Sequence, residues 1–169
     1  MQLGGRDDFG VYARGISQFD REKDTWVYCE QNAIPRLNGT HVNDIVADSS
    51  NVWFATEEGV VRFRKEIETW DTYTFLAGSG ARRLGEATSL ARVESRLWIG
   101  TERGLAVLDL QSDSIRTVGG SEIFRIRELA TGQQFVWAAT NKGLFRTLID
   151  KTTWKEASTD PVTRQPILA

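Results

Sequence analysis

Val52-Trp53-Phe54-Ala55-Thr56-Glu57-Glu58-Gly59-Val60 decides the fold, because the chain repeats it. It returns as Leu97-Trp98-Ile99-Gly100-Thr101-Glu102-Arg103-Gly104-Leu105, and again as Val136-Trp137-Ala138-Ala139-Thr140-Asn141-Lys142-Gly143-Leu144. Trp and Gly stand six apart in all three copies. A degenerate copy, Val11-Tyr12-Ala13-Arg14-Gly15-Ile16, holds its aromatic and glycine three apart. Outward from these anchors the spacing persists. Eleven residues past Gly15, Gly59, Gly104 and Gly143 lie Trp26, Trp70, Ile115 and Trp154; eight before the three tryptophans lie Ile45, Leu90 and Leu129. The Gly-to-Gly spacings are 44, 45 and 39, and a period of ~40–50 residues rich in short strands points to a propeller.

Each unit divides into four strands. Val42–Ala47, Val52–Thr56, Gly59–Arg64 and Thr69–Thr74 are β-branched, aromatic or alternating in polarity, and turn residues separate them. Four antiparallel strands make one blade. The expected fold is therefore all-β, a β-propeller of about four four-stranded blades in a single domain over residues 1–169. The blades fall at about 10–30 plus 162–169, 42–76, 87–118 and 126–158. The first blade supplies its second, third and fourth strands but no first. The tail residues 162–169 are expected to supply that strand, since Ile167-x-Ala169 matches Ile45-x-Ala47, with Pro166 at a start or unpaired position. Three closures stay open: a four-bladed monomer, a homodimer closing an eight-bladed ring, and part of a larger propeller.

The pattern hydrophobic-Trp-x-x-Thr-x-x-Gly-hydrophobic, then Phe or Leu, then Trp eleven after the Gly, resembles the two-component regulator propeller repeat. The residues that carry the likeness are Trp53, Thr56, Gly59, Phe63 and Trp70. They recur as Trp98, Thr101, Gly104 and Leu108, and as Trp137, Thr140, Gly143, Leu144 and Trp154. The resemblance spans roughly residues 10–159 and implies a sensor-type propeller, commonly the extracytoplasmic part of a hybrid sensor kinase. No kinase, effector domain or membrane-spanning segment accompanies it in this sequence.

Composition narrows the function classes. The 169 residues carry a net charge of −2 with 40% hydrophobic residues, and no stretch concentrates Lys and Arg, so nucleic acid is not an expected partner. Cys29 is the only cysteine, which rules out an intramolecular disulfide and, without a nearby His, gives no thiol catalyst. No apolar run reaches ~18 residues. The start, Met-Gln-Leu-Gly-Gly-Arg-Asp-Asp, lacks the pattern of a signal peptide. A complete chain would be cytoplasmic; one excised from a sensor would be periplasmic or extracellular.

His41 is the sole histidine and sits in a turn, so neither a His-based triad nor a His-rich metal site can be assembled. No catalytic residue, cofactor or metal site is expected, and the chain reads as a non-enzyme. Trp53, Trp98 and Trp137 are expected to pack between sheets, with Trp26, Trp70 and Trp154 half exposed on the outermost strands. The glycines after each hairpin should need positive φ or close approach, and Thr56, Thr101 and Thr140 should satisfy turn amides. The hairpin turns differ in charge from blade to blade, which nominates Arg14, Glu58, Arg103 and Lys142 as ligand-binding residues. The leading function is a recognition, sensor or scaffold module that binds a protein, peptide or small ligand on one face. A propeller-type lyase or hydrolase and a purely architectural or engineered repeat fragment are the alternatives.

Overall fold

The computed structural model describes residues 7–12, 15–20, 23–30, 41–74, 83–121, 124–151 and 154–156. These form fifteen strands and their turns, with no helix among the described residues. Blade 1 holds β1 (Asp7–Tyr12), β2 (Gly15–Asp20) and β3 (Thr25–Glu30). Blade 2 holds β4 (Val42–Ala47), β5 (Asn51–Thr56), β6 (Gly59–Arg64) and β7 (Thr69–Tyr73). Blade 3 holds β8 (Ala87–Val93), β9 (Arg96–Thr101), β10 (Gly104–Asp109) and β11 (Ser114–Thr117). Blade 4 holds β12 (Ile126–Thr131), β13 (Phe135–Thr140), β14 (Gly143–Leu148) and β15 (Trp154–Glu156). Each is an antiparallel meander in chain order, so the fold is a β-propeller. The expected completion of blade 1 by residues 162–169 lies outside the described residues, as does Arg14.

The hairpin joining the second and third strands shows why the repeated residues recur. Thr56 pairs with Gly59, Thr101 with Gly104 and Thr140 with Gly143, leaving a two-residue turn in each blade. The threonine hydroxyl donates to the glycine carbonyl at 3.0, 2.8 and 2.8 Å. The same oxygen accepts the amide of Glu58, Arg103 or Lys142 at 3.3, 3.1 and 3.0 Å. One side chain thus satisfies two backbone groups of the turn. The glycines have φ of +136°, +121° and +123°, a region unfavourable to residues with a Cβ. A Cβ on Gly59 would also collide with the Tyr73 carbonyl oxygen, and one on Gly104 with that of Ser121.

In blades 2, 3 and 4 the first strand is the inner one, and its register slips at one equivalent point. The slips fall between Val42 and Asp44, Ala87 and Ser89, and Ile126 and Glu128. Each is a β-bulge that frees one residue from the ladder. The freed residue reaches the next blade: Asn43 Nδ2 donates to Ala87 O at 2.8 Å, and Thr88 Oγ1 donates to Ile126 O at 2.9 Å. The following residue accepts in return. Asp44 Oδ2 takes the amide of Leu90 at 2.7 Å, and Ser89 Oγ that of Leu129 at 3.0 Å. Successive inner strands are therefore clasped by reciprocal side-chain-to-backbone bonds. Arg127 and Glu128 hold the clasp positions in blade 4.

The core lies in the seams between blades. The forward face of blade 2 (Trp53, Ala55, Val60, Tyr73) packs on Leu97, Ile99 and Leu108 of blade 3. The forward face of blade 3 (Trp98, Leu105, Val107) packs on Ile126, Leu129, Val136 and Ala138 of blade 4. Trp53 and Trp98 are 1% and 0% exposed, and neither indole N–H has a hydrogen-bond partner among the described residues, so apolar packing holds these rings. Trp137, at the same position in blade 4, is only half-buried. Trp70 packs in a tilted contact on Phe63 at 4.6 Å between centroids on the rear face of blade 2, and Phe19 and Trp26 form the matching tilted pair in blade 1 at 5.2 Å.

Candidate functional site

The hairpin turns and the loops that lead into the inner strands share one face of the propeller. Glu58, Arg103 and Lys142 occupy one structural position in three successive blades, all exposed. The threonine bonds described above hold each backbone fixed, so only the side chain varies. The neighbouring turn residue varies too: Glu57, Glu102, Asn141. Glu57 pairs with His41 at 3.3 Å, and Glu102 with Arg103 at 3.2 Å.

The loops join this face into a network. Glu86 O accepts the Glu102 amide at 3.1 Å, and Arg125 O accepts the Asn141 amide at 3.1 Å. Asn141 Oδ1 takes the Arg125 amide in return, also at 3.1 Å. The Glu86 carboxylate lies between blades, 3.4 Å from Asn43 Nδ2 of blade 2 and 3.4 Å from Arg125 Nη2 ahead of blade 4. The face runs from acidic at blade 2 (Glu57, Glu58) to basic at blade 4 (Arg125, Lys142). The described part of the face thus carries charges of both signs.

Sequence spacing nominated Glu58, Arg103 and Lys142, which the structure places on this face; it did not nominate Glu86 or Arg125, whose contacts cross between blades. It also missed a cleft of about 580 Å³ between Glu94-Ser95, Gln133-Gln134 and Leu148–Lys151, with Arg96 on its wall. That cleft lies at the opposite ends of the strands, beside the turns after the first strands of blades 3 and 4 and after the third strand of blade 4. Arg96 Nη1 donates to Ile149 O at 2.6 Å and closes the seam beneath it.

A charged cluster locks the outer strands of blades 2 and 3. Arg62 is 6% exposed; its Nε and Nη2 reach Asp71 Oδ2 at 3.0 and 2.8 Å, and its Nη1 lies 3.2 Å from Asp113 Oδ1. Arg64 Nε also reaches Asp71 at 2.7 Å, and the Tyr73 hydroxyl donates to Asp113 at 2.6 Å. Burial acts to raise the Asp71 carboxyl, but hydrogen bonds from Arg64 and Arg62 outweigh it and hold the group below its ordinary value. Burial, then the bond to Asp113, pushes the Tyr73 phenol up. No group of three or more His, Cys, Asp or Glu suited to a metal ion occurs among the described residues. No helix there is long and apolar enough to cross a membrane.

No protein-family model matches the chain, and no curated protein matches it. Solved structures do. The extracellular domain of BT4673 from B. thetaiotaomicron, described as a hybrid two-component system, aligns at a TM-score of 0.73 with 18% identity over 91% of this chain. The extracellular domain of BT3049 from the same organism aligns at 0.65 with 19% identity over 90% of this chain. The chain spans only 21% and 22% of those domains. The computationally designed protein Ika4 aligns at 0.62 with 16% identity, over 85% of this chain and 86% of its own. At such identities the likeness is one of fold, and the fold shared is the stacking of antiparallel blades seen in the strand order.

Proposed function

We propose that the chain is a non-enzymatic recognition module of the sensor or scaffold type, and that it binds a protein or peptide of mixed charge on the hairpin-turn face. One observation carries this: three turns with an identical backbone clamp present three different exposed side chains, Glu58, Arg103 and Lys142, at one position. A rigid backbone with interchangeable side chains suits specific recognition, because little loop entropy is lost on binding. The structural likeness to extracellular domains of two-component systems supports a sensing role, and the resemblance of the repeat residues points the same way.

The test is panning of a random peptide library on the wild-type chain, followed by measurement of the selected peptides on Glu58→Ala, Arg103→Ala and Lys142→Ala. Losses of about tenfold or more for two of the three variants, with unchanged circular dichroism, are expected. Peptides that bind all three like wild type would overturn the assignment of this face. A second reading places a small ligand in the 580 Å³ cleft between blades 3 and 4; Gln134→Trp would then abolish binding and the turn variants would not.

A further inference from the structure

The seam between blades 3 and 4 opens into a cleft at a point where the preceding seam is bridged. Between blades 2 and 3, Arg92 Nε of the inner strand of blade 3 reaches Asp48 Oδ2, in the first turn of blade 2, at 3.1 Å. The same guanidinium lies 5.9 Å from the centre of the Trp53 ring, and Lys65 Nζ donates to the Asp48 carbonyl at 2.8 Å. The aliphatic and Trp anchors stand eight apart in blades 2, 3 and 4, so equivalent positions follow without gaps. Val93 holds the Asp48 position in blade 3, Leu110 the Lys65 position, and Thr131 the Arg92 position in blade 4. None of the three is charged, so this bridge cannot form at the second seam. The cleft of about 580 Å³ lies there, with Val93 in its lining, and its size falls within the ~300–1,000 Å³ range of small-ligand sites.

Each wall of the cleft offers one charge of each sign. Blade 3 contributes Glu94 and Arg96; blade 4 contributes Asp150 and Lys151, with the amides of Gln133 and Gln134 beside them. Among the described residues, no hydrogen bond or ion pair engages the side chains of Glu94, Gln133, Gln134, Asp150 or Lys151, and all five are exposed. Arg96 spends Nη1 on the Ile149 carbonyl, which fixes the guanidinium at the wall and leaves its other N–H groups as donors. A purely anionic or purely cationic ligand would meet a like charge on both walls. A molecule that carries both charges meets a complement on each. The glutamine amides each offer an acceptor and two donors, the groups that match a peptide bond.

We infer that the cleft between blades 3 and 4 binds a short peptide with free ends, its ammonium group toward Glu94 and Asp150 and its carboxylate toward Arg96 and Lys151. This rests on the reading of the cleft as a ligand site given above and is independent of the hairpin-turn face. Because the charges come from both walls, the bound peptide ties blade 3 to blade 4 where the Asp48–Arg92 type of bridge is missing.

Affinity-selection mass spectrometry on the full chain tests this with randomised tripeptides in two forms, one unblocked and one acetylated and amidated at its ends. The unblocked form should be retained, and capping should weaken binding by about tenfold or more, as should Glu94→Gln and Lys151→Gln. Gln134→Trp, which fills the cleft, should abolish retention. Circular dichroism of every variant should match wild type, since these positions are exposed. Capped peptides held as well as unblocked ones, retention indifferent to Glu94→Gln and Lys151→Gln, or retention that survives Gln134→Trp would each overturn the inference. A library of neutral fragments run in parallel separates it from the reading beneath it. Fragments lost on Gln134→Trp, with no tripeptide retained, would leave the cleft a site and refute the peptide; retention of neither would refute both.

Discussion

Gly100 and Ile126 meet across the seam between blades 3 and 4, and their contact is close enough to give a prediction with a sign. A Cβ on Gly100 would sit 2.6 Å from Ile126 Cγ2, 3.0 Å from its Cβ and 3.3 Å from Thr88 Oγ1. Ile126 is fully buried and cannot retreat. Gly100→Ala should therefore destabilise through overpacking by ~1–3 kcal/mol, offset by ~0.4–1 kcal/mol from the stiffer unfolded chain. A net loss of ~1–2 kcal/mol corresponds to roughly 2–4 °C per kcal/mol in a chain of this size. Ile126→Ala alone leaves a cavity and costs ~2–5 kcal/mol. In the double variant the new methyl enters the space vacated. That arrangement is the one blade 2 already uses, where Ala55 and Ala87 occupy the same two positions within one buried cluster. The double variant should thus be less unstable than the sum of the singles by ~1 kcal/mol or more. Urea unfolding followed by tryptophan emission measures all four corners of the cycle. Additivity to within ~0.5 kcal/mol would refute the steric account.

Asp113→Ala removes the acceptor of the Tyr73 hydroxyl and one partner of buried Arg62, and should cost ~1–3 kcal/mol in the same assay. Asp71 is held below its ordinary value in the folded state, so its contribution is fully present above the unfolded carboxylate range and lost as pH falls through the lowered folded value. Asp71→Asn should therefore flatten the acid limb of a stability-versus-pH curve and leave a fixed loss at neutral pH. Thr101→Val removes a buried hydroxyl that serves two backbone groups and should cost ~1–2 kcal/mol. Thr140→Val should cost less, because the same bonds are exposed to water there. Thermal melts of the two variants, compared directly, check that difference.

The strands were legible because their anchors repeat. Val42–Ala47 and Gly59–Arg64 fall where the spacing puts them, and Thr56, Thr101 and Thr140 bond the turn amides as their position after each tryptophan predicts. The tryptophan column was legible as a packing column, with Trp53 and Trp98 sealed. Trp137, at the same position in blade 4, is only half-buried, which its own neighbours in sequence do not foretell. What the sequence hid are contacts between residues 38 to 51 positions apart, such as Thr88 with Ile126 and Arg62 with Asp113. Asn43 and Thr88 look like ordinary polar strand residues; only the register slip gives them a task. The candidate face was half legible: the turns differ visibly, while Glu86 and Arg125 acquire meaning only where three blades converge.

The inner-strand clasp has an evolutionary consequence. Asn43 and Thr88 grip a carbonyl, and Asp44 and Ser89 an amide, of the blade that follows. Every residue except proline offers both groups, so the clasp's hydrogen bonds do not depend on which side chains the gripped blade carries. A blade bearing its own clasp keeps these bonds when it is duplicated, deleted or transplanted, and only the apolar seam, as at Gly100 and Ile126, has to be refitted. Chains assembled this way can drift far apart in sequence while their stacking persists, and they can grow or shrink by whole blades as a single genetic step.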